Sequence, residues 1–519
     1  MPNLNKISNQ YKSLKSRWSF DLNENNFIEY LSNRNRHLES KIVEGTEGNI
    51  LVQMPNDYFY LCLFFVAIEN LNIQQNRIVG LWHQNIMSAP VGESMPRLFN
   101  KIRQLFNFLD LQKWAKLYKA IGVRSYQDLE GDSFKKHLFN KQSEVIWKNL
   151  QSKKDLLDLT LNGTHCGDLI YDTYLRYRVQ PTVDLVDPFL KELIKKAMIA
   201  QSAIREILIK KKINLLISSY SSYIQHGLPV REARRLGIQV FTAGNLSQYF
   251  KQLRNDDVLH AARHWEYGEH FSAMDLSSQI QAKAQAKVQL EARFKGGIDQ
   301  ATLYMKKSAY ASNSTVFPGG IDGVVFLHDF FDSPHCYRSM LFEDFWEWAN
   351  FTLRLIAEHK LNIAIKPHPN QLPESVEVVR RLKDIYPTVA WIDTSVSNAQ
   401  IFASGIQVGI SVYGTILHEL AYHKIAAVAA GDHPHVDFKI AHTPTSIDQY
   451  KNLLLNYQTL AVHDDVQDEV LSFYYMHNIY NNEDLLDGIQ DFNYRQLEQS
   501  NSVALKKFID FDSKKNVQG

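Results

Sequence analysis

Cysteine is scarce in this chain: Cys62, Cys166 and Cys336 are the only three among 519 residues. They lie far apart, without the paired spacing of a zinc site or the even count of a small disulfide framework, so a reducing compartment is expected. An excess of one charge is also missing. Lys plus Arg number 57 against 56 Asp plus Glu, a formal charge of +1, which offers no broad cationic field and leaves nucleic acid out as a partner. Long apolar runs are absent too. The most apolar stretch, Tyr58 to Ile68, is closed by Glu69 and Asn70 and is about half a membrane span, which predicts a core helix. The N-terminus, MPNLNKISNQYKSLKSRW, is basic but has neither the apolar run nor the small-residue cleavage site of a signal peptide, so a cytoplasmic location is expected. With Trp18 and Phe20 it offers peripheral contact with anionic lipid, or it is simply a solvated helix.

Three motifs are lacking as well. No GxGxxG follows the first strand, no GxxxxGK[ST] occurs, and no Gly-x-Ser-x-Gly elbow is present; dinucleotide oxidoreductases, P-loop NTPases and α/β-hydrolases lose their signatures. What is there is an ordinary globular composition, 45% apolar and 12% aromatic, in a chain long enough for two or three domains.

Periodicity supplies the organisation. Short β-rich runs at Ile50 to Met54, Arg77 to Trp82, Ile213 to Ser218 and Gln239 to Thr242 alternate with helical patterns, the longest being Pro188 to Lys212. A helical stretch from Leu276 to Phe294 leads to a Gly-rich loop. Five further strands follow: Val324 to Phe330, Asn362 to Lys366, Val389 to Ile392, Gln407 to Val412 and Ile425 to Ala429, separated by helices. The expectation is an α/β fold with a doubly wound parallel sheet and ligands at the carboxyl ends of its strands. Its expected division is residues 1–315 as an N-terminal α/β domain, 316–480 as a Rossmann-like domain and 481–519 as a helical tail that returns to the first domain.

Polar clusters follow those strands. In Ile365-Lys366-Pro367-His368-Pro369, a cation and an imidazole two residues apart share one side of an extended segment that the prolines stiffen, which suits an anionic phosphate. In Ser411-Val412-Tyr413-Gly414-Thr415, small residues at a strand-to-helix junction leave backbone N–H groups for an anion. Glu419 lies one turn on, where it could accept from ribose hydroxyls; plain helix capping is the alternative. The segment His328-Asp329-Phe330-Phe331-Asp332-Ser333-Pro334-His335 has metal-ligand residue types without metal-ligand spacing, and His328 equally suits a loop or a phosphate contact. The loop with Asp432, His433, His435 and Asp437 reads as polar connection.

Earlier in the chain, Gly163-Thr164-His165-Cys166-Gly167-Asp168 is a Gly-rich turn entering a helix. Asp168 and, one turn on, Asp172 share a face there, with Asp168 either a general base or a compensator of the helix dipole. His226 and Arg231, after the strand Ile213 to Ser218, are candidates for acceptor contact.

Taken in order, the Lys-Pro-His-Pro segment, the Ser-Val-Tyr-Gly-Thr segment and His418-Glu419-Leu420-Ala421-Tyr422-His423-Lys424-Ile425 resemble bacterial capsule and lipopolysaccharide glycosyltransferases of the GT-B type. Leu420 stands where that family often has Ala, and Ile425 where it often has Pro. The resemblance covers about residues 320–430 continuously. It implies two Rossmann-like domains facing across a cleft, and an inverting, metal-independent transfer from a nucleotide-sugar donor to a glycan or lipid-linked glycan, with no cofactor. Donor phosphate would meet Lys366, His368 and His328 and be cradled by Ser411, Gly414 and Thr415, and Glu419 would hold ribose. Asp168, Asp172 or His165 would deprotonate the acceptor, with His226 and Arg231 on the acceptor side. Alternatives are a polyol-phosphate transferase using a CDP donor, a UDP-sugar 2-epimerase, and a non-catalytic scaffold.

Overall fold

Short apolar runs form two largely parallel sheets whose inner strands are buried along nearly their whole length, the environment that near-continuous apolar strands require. The computed structural model describes residues 19–38, 48–71, 77–83, 111–129, 133–219, 221–243, 250–254, 257, 263–297, 308–310, 315, 317, 319–337, 339–369, 371–480 and 502–518. The chain divides into two units: residues 1–142, 195–255 and 483–519 form the first, and 143–194 with 256–482 the second.

The first unit carries strands β1 (Asn49–Gln53), β2 (Ile78–Trp82), β3 (Ser125–Asp128), β4 (Ile213–Ser218), β5 (Gln239–Ala243) and β6 (Phe250–Gln252). They lie in the order β3-β2-β1-β4-β5-β6, all parallel except the last pair. That is the order of a dinucleotide-type doubly wound sheet. The expected core helix forms over Tyr58–Asn70 with nine buried residues. No helix among the described residues is long and apolar enough to cross a membrane. The C-terminal helix Val503–Gln518 packs on Leu22–Leu38 and on Tyr58–Asn70, so the tail does return to the first unit. The basic segment 1–18 lies outside the described residues.

The second unit carries β7 (Gly323–Phe326), β8 (Ile363–Lys366), β9 (Val408–Ser411) and β10 (Ala426–Ala429), all parallel, in the order β8-β7-β9-β10. Single parallel bridges extend both edges, Trp391 beside Ile365 and His442 beside Val428. With those bridges this sheet repeats the order of the first, so both units are Rossmann-like. Two glycines make the packing possible. A Cβ on Gly323 would lie 2.6 Å from Val408, and one on Gly409 would lie 2.2 Å from Leu420; the second absence lets the helix Ile416–Tyr422 settle on the sheet.

Three expectations need correction. The division is not at residue 315: the segment 143–194 and the helix Leu276–Phe294 belong to the second unit. The strand expected over Val389 to Ile392 is a single bridge. The strand expected over Val324 to Phe330 stops at Phe326, because the polar run from His328 turns away to form a loop. Periodicity also passed over the edge strands β3 and β6, the first of which is mostly exposed and lacks the apolar signature.

Candidate functional site

In each sheet the order of strands reverses between the two central neighbours, β1 and β4 in the first and β7 and β9 in the second, and the crevice outside their carboxyl ends is where ligands of such sheets bind. In the second unit that crevice lies after β7 and β9. His328 follows β7, and its Nε2 accepts the backbone N–H of Tyr413 at 3.1 Å and lies 3.2 Å from Ser411 Oγ. Accepting at Nε2 places the imidazole proton on Nδ1. The ring stacks on Phe345 at 4.6 Å between centroids. Burial first, then His368, pulls His328 down to about 3, so it is neutral. Ser411 is buried, its Oγ also 3.1 Å from Phe326 O. The structure therefore brings His328 and Ser411 together as a brace of the Ser411–Thr415 turn, rather than as two side chains directed outward. A Cβ on Gly414 would sit 3.0 Å from Ser411 Oγ and 3.1 Å from Ile416, which keeps the turn tight. Thr415 makes no side-chain cap; its hydroxyl accepts from Arg293 at 3.3 Å.

Lys366 and His368 differ in burial. Lys366, the last residue of β8, is 2% exposed and its Nζ donates to Asn398 Oδ1 at 2.7 Å. Burial lowers it to about 8, with Glu419 acting in the opposite sense. His368 is half-buried. Burial lowers it too, Asp329 opposing and Lys366 adding to the shift. Glu419 does not stand open for a ribose. Its carboxylate, 1% exposed, accepts from Arg293 and from the Tyr310 hydroxyl. Arg293, Tyr310 and Asn398 escaped sequence reading because nothing local marks them: each works through a partner at least 32 residues away in the chain.

The helix Gly167–Tyr174 begins where only glycine fits, since a Cβ on Gly167 would lie 1.9 Å from Leu156 O. Asp168 is in its first turn and faces His165 Nδ1 at 3.5 Å; His165 is half exposed, with Nε2 2.8 Å from Leu157 O. Asp172 is buried, and its Oδ1 lies 2.6 Å from Nδ1 of His335. Burial raises Asp172, with His335 opposing. Burial alone would lower His335, but Asp172, then Asp168 and Asp344, hold it above its ordinary value. The Tyr171 ring meets His335 edge-on at 5.2 Å, and its hydroxyl donates to Asp344. Asp168 and Asp172 thus stand in the same unit as the β7/β9 crevice, not in a separate N-terminal domain.

The remaining polar loops have internal uses. Among the described residues no group of three or more ligand-type side chains is placed to hold a metal. Asp329 accepts from Phe331 N at 3.0 Å, Leu372 N at 2.6 Å and Ser375 Oγ at 3.1 Å, fixing the entry to the helix Pro373–Ile385. His433 and His435 leave the surface and join His418 in a buried chain, His418 Nδ1 to His435 Nε2 at 3.2 Å and His435 Nδ1 to His433 Nδ1 at 2.6 Å.

In the first unit the corresponding crevice lies after β1 and β4. His226, on the helix Tyr223–Arg235, has Nδ1 3.3 Å from Gln53 Oε1 and 3.2 Å from Ser219 Oγ, and its ring is 4.6 Å from that of His83. Burial lowers His83 to about 4 and His226 well below its usual value, His83 adding to the latter shift. Arg231 is half-buried on the same helix. Gln53, Ser219 and His83 were not singled out from sequence, although each ends or follows a strand of this sheet, which was the available signal.

No protein-family model matches the chain, and no curated protein matches it in sequence. Solved structures do show likeness. One is Thermosulfurimonas dismutans KpsC, a beta Kdo 2,4 transferase, at 10% identity and a TM-score of 0.32, covering 53% of this chain and 85% of that one. A second is Acinetobacter baumannii MurG, at 11% identity and a TM-score of 0.27, covering 86% of this chain and 99% of that one. A third is Methanocaldococcus jannaschii UDP-GlcNAc 2-epimerase in complex with UDP-GlcNAc and UDP, at 9% identity and a TM-score of 0.27, covering 86% and 99%. Likenesses this weak assign no activity to the chain.

Proposed function

We propose that the chain is a glycosyltransferase of the GT-B type, moving a sugar from a nucleotide-sugar donor to a bacterial surface glycan, capsule or lipopolysaccharide, with inversion and without a metal. One observation carries the reading. The Ser411–Thr415 turn and His368, singled out as anion-binding types, belong to the carboxyl edge of a parallel sheet whose order makes β7 and β9 the ligand-binding crevice. Donor phosphate there meets His368 and the backbone of Gly414 and Thr415. Lys366 acts from beneath as a buried positive charge, at the second rank because Asn398 already holds it. The acceptor hydroxyl is deprotonated from the side of the Gly167–Tyr174 helix. The work is placed in the cytoplasm, at the inner face of the membrane.

The test is thermal denaturation of the purified protein with CMP, CDP, UDP, dTDP, GDP or NAD at millimolar concentration, repeated with His368→Ala. A ligand that binds only the folded chain stabilises it, by about 2.7 kcal/mol at a hundred times its Kd. A rise in Tm with one nucleotide that His368→Ala removes supports the donor site. A CDP-specific response would turn the reading toward polyol-phosphate transfer. No rise with any of them would defeat it.

A further inference from the structure

We infer that His335 is the general base that takes the proton of the acceptor hydroxyl, with Asp172 as the carboxylate that positions it. This rests on the transferase reading and replaces the earlier choice among Asp168, Asp172 and His165 with a defined pair. The order of the pair follows from its atoms. A carboxylate oxygen 2.6 Å from Nδ1 requires the proton of neutral His335 on Nδ1, which leaves the lone pair of Nε2 to accept another. Among the described residues nothing hydrogen-bonds Nε2, although it is buried; a buried polar atom without a partner is uncommon and asks for a reason.

Asp172 is excluded as the direct base because its Oδ1 is turned to His335 and its side chain is 4% exposed. Asp168 is more accessible, at 14%, but faces the half-exposed His165 across 3.5 Å. The chain around His335 is joined to the crevice through its neighbours. The Tyr413 hydroxyl donates to the carbonyl of Pro334 at 2.8 Å, and the Tyr337 and Tyr413 rings lie 4.7 Å apart, so residues on either side of His335 are fastened to the turn that follows β9. Asp172 comes from a helix started by an obligate glycine, a rigid mount for a positioning group.

The step balances as follows. The acceptor O–H bond breaks and its proton goes to Nε2 while the acceptor oxygen forms a bond to the anomeric carbon. The bond from that carbon to the donor phosphate oxygen breaks and its electron pair leaves with the nucleotide. The imidazolium is stabilised by the Asp172 carboxylate and afterwards returns its proton to water.

Two variants, His335→Gln and Asp172→Asn, test the pair against nucleotide stabilisation and against release of nucleotide from the stabilising nucleotide sugar, with cell-envelope glycan extract as acceptor. Both should keep the wild-type thermal response to nucleotide. Release should fall about 10²- to 10⁴-fold in His335→Gln, the usual weight of general-base catalysis. In Asp172→Asn it should fall as well, and the acidic limb of its pH profile should shift to lower pH, because the neighbouring charge that favours the imidazolium is gone. Equal release from wild type and His335→Gln, at any level, overturns the pair while a retained thermal response leaves the donor site standing. Absence of any thermal response in the wild type overturns both.

Discussion

Lys366 Nζ donates to Asn398 Oδ1 at 2.7 Å beneath the loop that follows β8. Lys366 is 2% exposed and burial brings its ammonium to about 8, so at neutral pH it is still a cation, held by an amide from the start of the helix Asn398–Ala403. The cation that the Lys-Pro-His-Pro segment advertises is therefore buried, and His368 is the less buried of the two.

Removal of that amide should be felt as lost stability. Asn398→Leu leaves a buried ammonium without its acceptor and should cost about 1–3 kcal/mol in urea unfolding. Lys366→Met in the same background should recover most of it, since a thioether of similar length needs no partner. Independent, additive losses would show that the two side chains do not depend on each other.

The Arg293–Glu419 pair should behave as a buried ion pair. Both side chains are under 5% exposed, so Arg293→Met leaves an uncompensated carboxylate and should cost about 3–5 kcal/mol. The double variant Arg293→Met, Glu419→Leu should be more stable than Arg293→Met alone. A double-mutant cycle by chemical unfolding reads the coupling, and a coupling near zero would contradict the buried network.

Gly167→Ala and Gly237→Ala make a matched contrast. A Cβ at 167 collides with two backbone carbonyls, the nearer at 1.9 Å, whereas at 237, with φ +72°, nothing lies within 4 Å. The first should lose about 2–4 kcal/mol by overpacking, and the second about 1 kcal/mol for its left-handed conformation alone. Differential scanning calorimetry of both variants decides between them, and equal losses would mean that the helix entry can shift.

Stability should fall on mild acidification. His83 and His433 are buried and His328 is half-buried; all three are neutral, His83 lowered by burial to about 4 and His328 and His433 to about 3, with His368 adding to the shift of His328. The unfolded chain protonates them near 6.5 while the folded chain does not, so unfolding takes up protons as pH drops from 6.5 toward 4, and the folded state loses about 1.4 kcal/mol per pH unit for each. His335, raised by Asp172, works in the opposite sense. Unfolding free energies at pH 7 and pH 5 should differ by several kcal/mol, and a flat profile across that range would mean that these rings are solvated.

How much was legible divides along physical lines. Local pattern determined the elements: near-continuous aliphatic runs became β7 to β10, the Asp/Gly-marked turn became the start of the Gly167–Tyr174 helix, and the apolar stretch from Tyr58 became a buried helix. It also located the polar clusters after the strands, because a strand end is a local feature. Pairing was not local. His335 meets Asp172 across 163 residues, Arg293 meets Glu419 across 126, and the division of the chain follows contacts that return segment 143–194 to the second unit. Residue type and spacing by themselves thus determined which chemistry was available and where strands and helices would form. Only the tertiary structure decided that Glu419 and Lys366 already have buried partners, that His328 braces a turn, and that His335 Nε2 has no partner among the described residues, because burial and long-range partners, not sequence neighbours, set what each polar group can do.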